Sequence, residues 1–262
     1  MRKTKTYIKL FIILLVFFIV MFLIFGINNI KQSNYQTTLL IGNNTIWNYN
    51  KNKWINISTR DSIEKLNWKE YNIYLDNKEF GKYFLWHDDK WYAFDKNKNA
   101  VKLDGNLLAY KANFKMKFLD FSKKQITDRT YVDYVLEEND LSLSSQFTAF
   151  YKFDIDFDND KNLEEFFIIS NAFPFDFNPE KIFSIVFMVK NNKVYYLYND
   201  ISNNRESLNG CKPYLNAVLD TNNDKTYEII LSCARYSVSE SIDMLYKFDK
   251  EKDAFKIVIS NQ

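Results

Sequence analysis

A chain of 262 residues that is 47% apolar and 18% aromatic can bury a sizeable core, which excludes a disordered polar tail. A formal charge of +2, from 35 basic and 33 acidic residues, gives no electrostatic footprint for nucleic acid. With one histidine, His87, no Ser/His/Asp or Cys/His catalytic set can be assembled without that residue.

At the N-terminus Arg2, Lys3, Lys5 and Lys9 precede 18 consecutive apolar residues from Leu10 to Ile27, and only Lys31 follows closely. The run is longer than the apolar part of a cleavable signal peptide, and Phe25-Gly26-Ile27-Asn28-Asn29 offers no A-x-A cleavage site. A transmembrane signal-anchor helix over about residues 8–28 is expected. The basic flank keeps its start in the cytoplasm and sends the rest across. Residues 1–30 are then cytoplasmic tip and anchor, and 31–262 one extracytoplasmic β domain at the cell membrane. Four of the 35 basic residues lie before the span, so 31 face 33 acidic ones outside.

Beyond the anchor, short apolar or alternating segments separated by Asn, Asp, Lys and Gly turns predict strands. Thr37 to Ile41, Thr45 to Tyr49 and Trp54 to Ser58 make one meander; Lys82 to Trp86, Lys90 to Phe94 and Ala100 to Leu103 make another. Asp61 to Trp68 and Asp128 to Glu138 read as connecting helices. Later strands are expected at Phe166 to Ser170 and Ile229 to Cys233, each followed by a hairpin, Ile185 to Tyr198 and Met244 to Ile259. The stretch Tyr92 to Leu103 matches Tyr246 to Ile257 at most positions, which suggests an internal repeat. The fold class is all-β, in short antiparallel meanders, propeller-like or an irregular repeat, because radial repetition leaves only short protected edges.

Two stretches carry the clearest chemistry. Asp156-Phe-Asp158-Asn-Asp160-Lys-Asn162-Leu-Glu164 and Asp220-Thr-Asn222-Asn-Asp224-Lys-Thr226-Tyr-Glu228 place side-chain oxygens at positions 1, 3, 5, 7 and 9 and run into apolar segments. Calcium takes six to eight oxygens, and alternate positions in a loop point them at one centre. Asp156, Asp158, Asp160, Glu164, Asp220, Asn222, Asp224 and Glu228 are therefore the candidate ligands. The spacing resembles the calcium loops of FG-GAP and VCBS-type repeats of integrin-alpha-like β-propellers, over about 15 residues in each copy. That resemblance implies calcium as a structural ion. One departure stands out: the family usually has Gly at position 6, where this chain has Lys161 and Lys225. A non-Gly residue turning there costs of order 1 kcal/mol, and the same loops can serve as Asx turns without metal.

Cys211 and Cys233 are the only cysteines, and outside the cell such a pair is expected to form a disulfide. His87 reads as a solvated turn residue. Trp47, Trp54, Trp86 and Trp91 fall at strand positions that suit a β core. The function expected is a non-enzymatic surface binding or structural module for a protein or glycan, possible calcium stabilisation included. The rival is a cell-envelope hydrolase using carboxylates, which needs two opposed carboxylates in a cleft.

Overall fold

The computed structural model describes residues 14–17, 21, 35–172, 181–202, 211–235 and 241–261. The expected span over 8–28 lies almost wholly outside the described residues. Leu14 to Phe17 and Met21 are helical and exposed, and among the described residues no helix is long and apolar enough to cross a membrane.

The chain is mostly β, and its named strand pairs are antiparallel. Strands β1 (Thr37–Ile41), β2 (Thr45–Asn50) and β3 (Lys53–Asn56) make the first meander. Helix α1 (Arg60–Glu64) leads into the second, β4 (Lys69–Leu75), β5 (Lys78–His87), β6 (Trp91–Phe94) and β7 (Ala100–Val101). β8 (Leu107–Ala112) then pairs with both β1 and β4, so the two expected meanders fuse into one eight-stranded sheet. Strand β4 and strand β8 were not expected from the sequence, and β8 is the piece that joins the halves.

The second half is more regular. β10 (Ala149–Ile155), β11 (Glu164–Ser170), β12 (Ile182–Lys190) and β13 (Lys193–Ser202) form a four-stranded sheet in chain order. β14 (Cys211–Asp220), β15 (Glu228–Arg235), β16 (Ser241–Asp249) and β17 (Ala254–Ser260) repeat that order in a sheet extended by β9 (Lys117–Phe118). In both, the acidic stretch links the first strand to the second, so the repeated unit is a strand, an acidic loop and three more strands. None of the three sheets closes on itself, and no propeller is seen among the described residues.

Turn chemistry follows the hairpins' right-handed twist. Lys51-Asn52, Asp76-Asn77 and Asn191-Asn192 each hold both residues at positive φ, 51° and 62°, 50° and 62°, and 51° and 60°, as two-residue turns between twisted strands require. The related stretches Tyr92 to Leu103 and Tyr246 to Ile257 both form hairpins at sheet edges. Each has an aspartate heading the turn: Asp95 Oδ1 accepts the amides of Asn97 and Asn99, and Asp249 Oδ1 those of Glu251 and Lys252.

The layers stack through four apolar cores. Tyr151, Phe153, Phe166 and Met188 of the four-stranded sheet pack on Val218, Ile229, Leu231 and Met244 of the five-stranded sheet. That sheet's other face, with Ala217, Leu219, Ile230 and Leu245, packs on Leu39, Trp47, Leu108 and Tyr110 of the eight-stranded sheet. Being covered on both sides explains why Val218-Leu219 and Ile229 to Leu231 are apolar without alternation. Helix α2 (Thr130–Glu138) lays Val132, Val135 and Leu136 over the outer face of the four-stranded sheet. Residues around α1 help to cover the remaining core of the eight-stranded sheet, where Leu66 meets Ile73, Leu85 and Trp91.

Candidate functional site

The two acidic loops adopt the same conformation. In the first, the backbone amides of Asp160 and Lys161 donate to Asp156 Oδ1 and Oδ2 at 3.0 and 3.1 Å, and Asn162 donates to Asp160 Oδ1 at 2.7 Å. In the second, Asp224 and Lys225 donate to the two oxygens of Asp220 at 3.1 and 3.0 Å, and Thr226 to Asp224 Oδ1 at 2.8 Å. Positions 4 and 6 are left-handed in both: Asn159 and Lys161 at 62° and 75°, Asn223 and Lys225 at 57° and 65°. The lysines at position 6 thus take the turn for which the resembling family keeps glycine.

The ninth-position glutamates begin strands β11 and β15 and point inward, with Glu164 3% and Glu228 2% exposed. Glu164 Oε2 accepts the Phe157 amide at 2.8 Å; Glu228 Oε2 accepts the Thr221 amide and hydroxyl at 3.0 and 2.8 Å. Asp156, Asp158 and Glu164 each bring an oxygen within 4.8 Å of the others, close enough for one cation. A cationic group is already there. Lys190 Nζ, at the end of β12, lies 3.0 Å from Glu164 Oε1 and 3.9 Å from Asp160 and is bonded to Asp158. Lys247 Nζ, on β16, lies 3.3 Å from Glu228 Oε1 and 2.5 Å from Asp224. The donor types suit a hard cation, but an ammonium stands among them and backbone amides already hold the first-position carboxylates. In each loop the ammonium group lies against the glutamate and an aspartate of the candidate ligand set.

Sequence reasoning missed both lysines. Lys247 faces Glu228 across the β15–β16 ladder, and Lys190 occupies the same place, one step beyond the Glu165–Val189 pair. An opposed Glu–Lys pair at a strand end is the signal, and it becomes visible only once the register is known.

The loops differ in depth. The second is docked on the eight-stranded sheet: the Thr37 hydroxyl donates to the Thr221 carbonyl at 2.9 Å, and Asn223 Nδ2 to the Tyr35 hydroxyl at 2.8 Å. Burial pushes the Glu228 carboxyl up to about 7 and raises Asp220 as well. Lys247 is pulled down by burial, but Asp224 and Glu228 outweigh that and hold it above its ordinary value. Asp243, also raised by burial, sits between sheets, accepting from the Thr45 hydroxyl at 2.5 Å and from Ser232.

Cys211 and Cys233 lie at disulfide distance, Cα atoms 5.3 Å apart, and link β14 to β15 at the end opposite the acidic loop. His87 ends β5, its ring 4.8 Å from that of Trp91.

A second feature is an aromatic sheet face. Leu85, Trp91 and Ala93 point into the core, so alternation turns Phe84, Trp86, Tyr92 and Phe94 outward. Phe84 stands opposite Phe94 and Trp86 opposite Tyr92. Trp68, 50% exposed, lies with its ring centre 5.0 Å from that of Phe94, tilted by 40°, and extends the row. Its φ of 58° is an outlier for a bulky residue. Its amide donates to the Leu85 carbonyl at 2.7 Å, and Asn67 Oδ1 accepts the His87 amide at 2.8 Å, which together fix this backbone. Polar groups border the rings: Asp89 accepts the Tyr92 hydroxyl at 2.9 Å, Lys90 Nζ lies 5.4 Å from the Tyr92 ring centre, and Glu70 is opposite Phe84. Trp47 and Trp91 are core, as expected, whereas Trp86 is half-buried on this outer face.

Two grooves open on the surface. One of about 770 Å³ runs from Tyr92 and Lys90 past Lys102, Asp104 and Asn106. Another of about 420 Å³ lies between α2 and the β12–β13 turn, lined by Tyr131, Tyr134, Tyr196 and Glu138. Each has one carboxylate among its described lining residues, Asp104 or Glu138, where a carboxylate hydrolase needs an opposed pair. No family model matches the chain, and no curated protein or solved structure matches it.

Proposed function

We propose that this chain is a membrane-anchored extracytoplasmic binding module that presents the aromatic face of β5 and β6 to a surface glycan. The observation that carries this reading is Trp68. A large apolar ring is held in the solvent by a left-handed backbone conformation that bulky residues avoid, and such outliers persist where surrounding contacts over-determine them. Its tilted contact with Phe94, with Trp86 and Tyr92 beyond, makes a row of rings suited to the apolar face of sugar rings. Glu70, Asp89 and Lys90 add hydrogen-bonding groups at its border. A glycan array probed with the full chain in detergent should give hits that Trp68→Ala and Trp86→Ala each weaken at least about tenfold, the scale of a hot-spot aromatic. Hits retained by both variants would discard this face as the site.

The membrane part of the reading is supported by the basic start and the apolar run from Leu10 to Ile27. Protease shaving of intact cells is expected to release a fragment carrying the C-terminus. Full resistance, in cells whose other surface proteins are digested, would contradict an external domain.

A further inference from the structure

We infer that the ammonium groups of Lys190 and Lys247 do, in the two acidic loops, the work that a bound divalent cation would do, so that both loops close without metal.

Three independent features meet at this point. The first is charge. Asp156, Asp158 and Glu164 converge on one centre, and a cluster of carboxylates with a buried member is costly unless a positive group joins it. The second is repetition. The two ammonium groups come from the same rung of two separate sheets, opposite the glutamate that follows the loop, and each bridges that glutamate to a loop aspartate. One such contact could be incidental to a charged surface; two in the same register, from loops that share the amide bonds to the first aspartate and the ninth-position glutamate, define a constructed arrangement, although the lysine takes the third-position aspartate in one loop and the fifth in the other. The third is the division of acceptors. Both oxygens of Asp156 and of Asp220 accept backbone amides, and Oε2 of each glutamate accepts the amide of Phe157 or Thr221. The lysines take oxygens that accept no backbone amide here, Oε1 of each glutamate and Oδ2 of Asp158 and Asp224.

A calcium ion could enter only by expelling the ammonium from this set, leaving a largely buried charge without its partners. Conversely, removing the lysine uncovers a set of oxygens whose spacing already suits calcium. A lysine in place of an ion also makes the fold independent of the calcium level outside the cell, since its cation is covalently attached and its local concentration never falls.

The test uses the full chain in detergent, melted by circular dichroism in millimolar calcium and in EDTA. Wild-type protein should melt at the same temperature in both. Lys190→Met, in the more exposed loop, should melt about 5 °C lower in EDTA and recover part of that loss in calcium. A wild-type melting temperature that rises with calcium overturns the inference, and so does a Lys190→Met protein that melts like wild type. The wild-type comparison decides even if Lys247→Met, in the deeper loop, does not fold.

Discussion

Lys247→Met is expected to cost the protein about 3 to 5 kcal/mol at pH 8, the range for breaking a buried ion pair by removing one member. The loss falls on Glu228, 2% exposed, which would keep its hydrogen bonds from Thr221 but lose the cation beside it. The cost should depend on pH in a definite direction. Glu228 titrates near 7 in the folded protein against an ordinary 4.5. Between these values the folded state binds more protons than the unfolded one, so this group makes stability fall as pH rises. Without Lys247 the carboxyl is held higher still. The variant's deficit should therefore grow as pH rises above about 7 and shrink towards pH 5, where a protonated Glu228 no longer needs a counter-charge. Urea unfolding of both proteins at the two pH values measures this, and Glu228→Gln added to Lys247→Met should remove the pH dependence. Lys190→Met is expected to cost less, about 2 kcal/mol, because Glu164 is as buried as Glu228 but Asp158 and Asp160 remain open to water. Equal costs at the two loops would mean that depth of burial does not govern them.

Reducing the link between Cys211 and Cys233 is expected to cost about 3 kcal/mol, since it frees a loop of 22 residues in the unfolded chain. The bridge closes the β14–β15 ladder at the end opposite its acidic loop, and both cysteines are fully buried against the core shared with the four-stranded sheet. Thermal melts with and without reductant should differ by about 10 °C, and unreduced peptide mass spectrometry should show the linked pair. Two thiols that alkylate in the folded protein would contradict it.

Much of this could be read in the sequence, for physical reasons that differ by element. The meander strands Thr37 to Ile41 and Thr45 to Tyr49 were legible because turn residues punctuate them. The acidic loops were legible because alternate oxygens are a local pattern. β4, with Glu70 and Asn72 among its residues, and the short β9 carry too weak a local pattern. β8 shows nothing in its own residues of its place between β1 and β4, which is a long-range pairing. Trp68 read as the end of a helix beginning at Asp61, but the helix stops at Glu64 and the chain reverses hand at Trp68 to enter β4. The repeat was legible in part. Tyr92 to Leu103 and Tyr246 to Ile257 share a hairpin turn, and the acidic loop, strand and hairpin expected twice form the last three strands of each four-stranded meander, whose first strands, β10 and β14, were not expected. The calcium expectation followed from the loop alone. What alters it, Lys190 and Lys247, lies 26 and 19 residues downstream of the glutamates they meet, and only strand register brings them back.

Calorimetric titration of calcium into the metal-free full chain, wild type beside Lys190→Met, tests the lysine-for-cation account most directly. The account predicts no saturable heat for the wild type and a saturable one for the variant, whose first loop has lost its built-in cation. Saturable binding by the wild type, or none by a folded Lys190→Met protein, would contradict it.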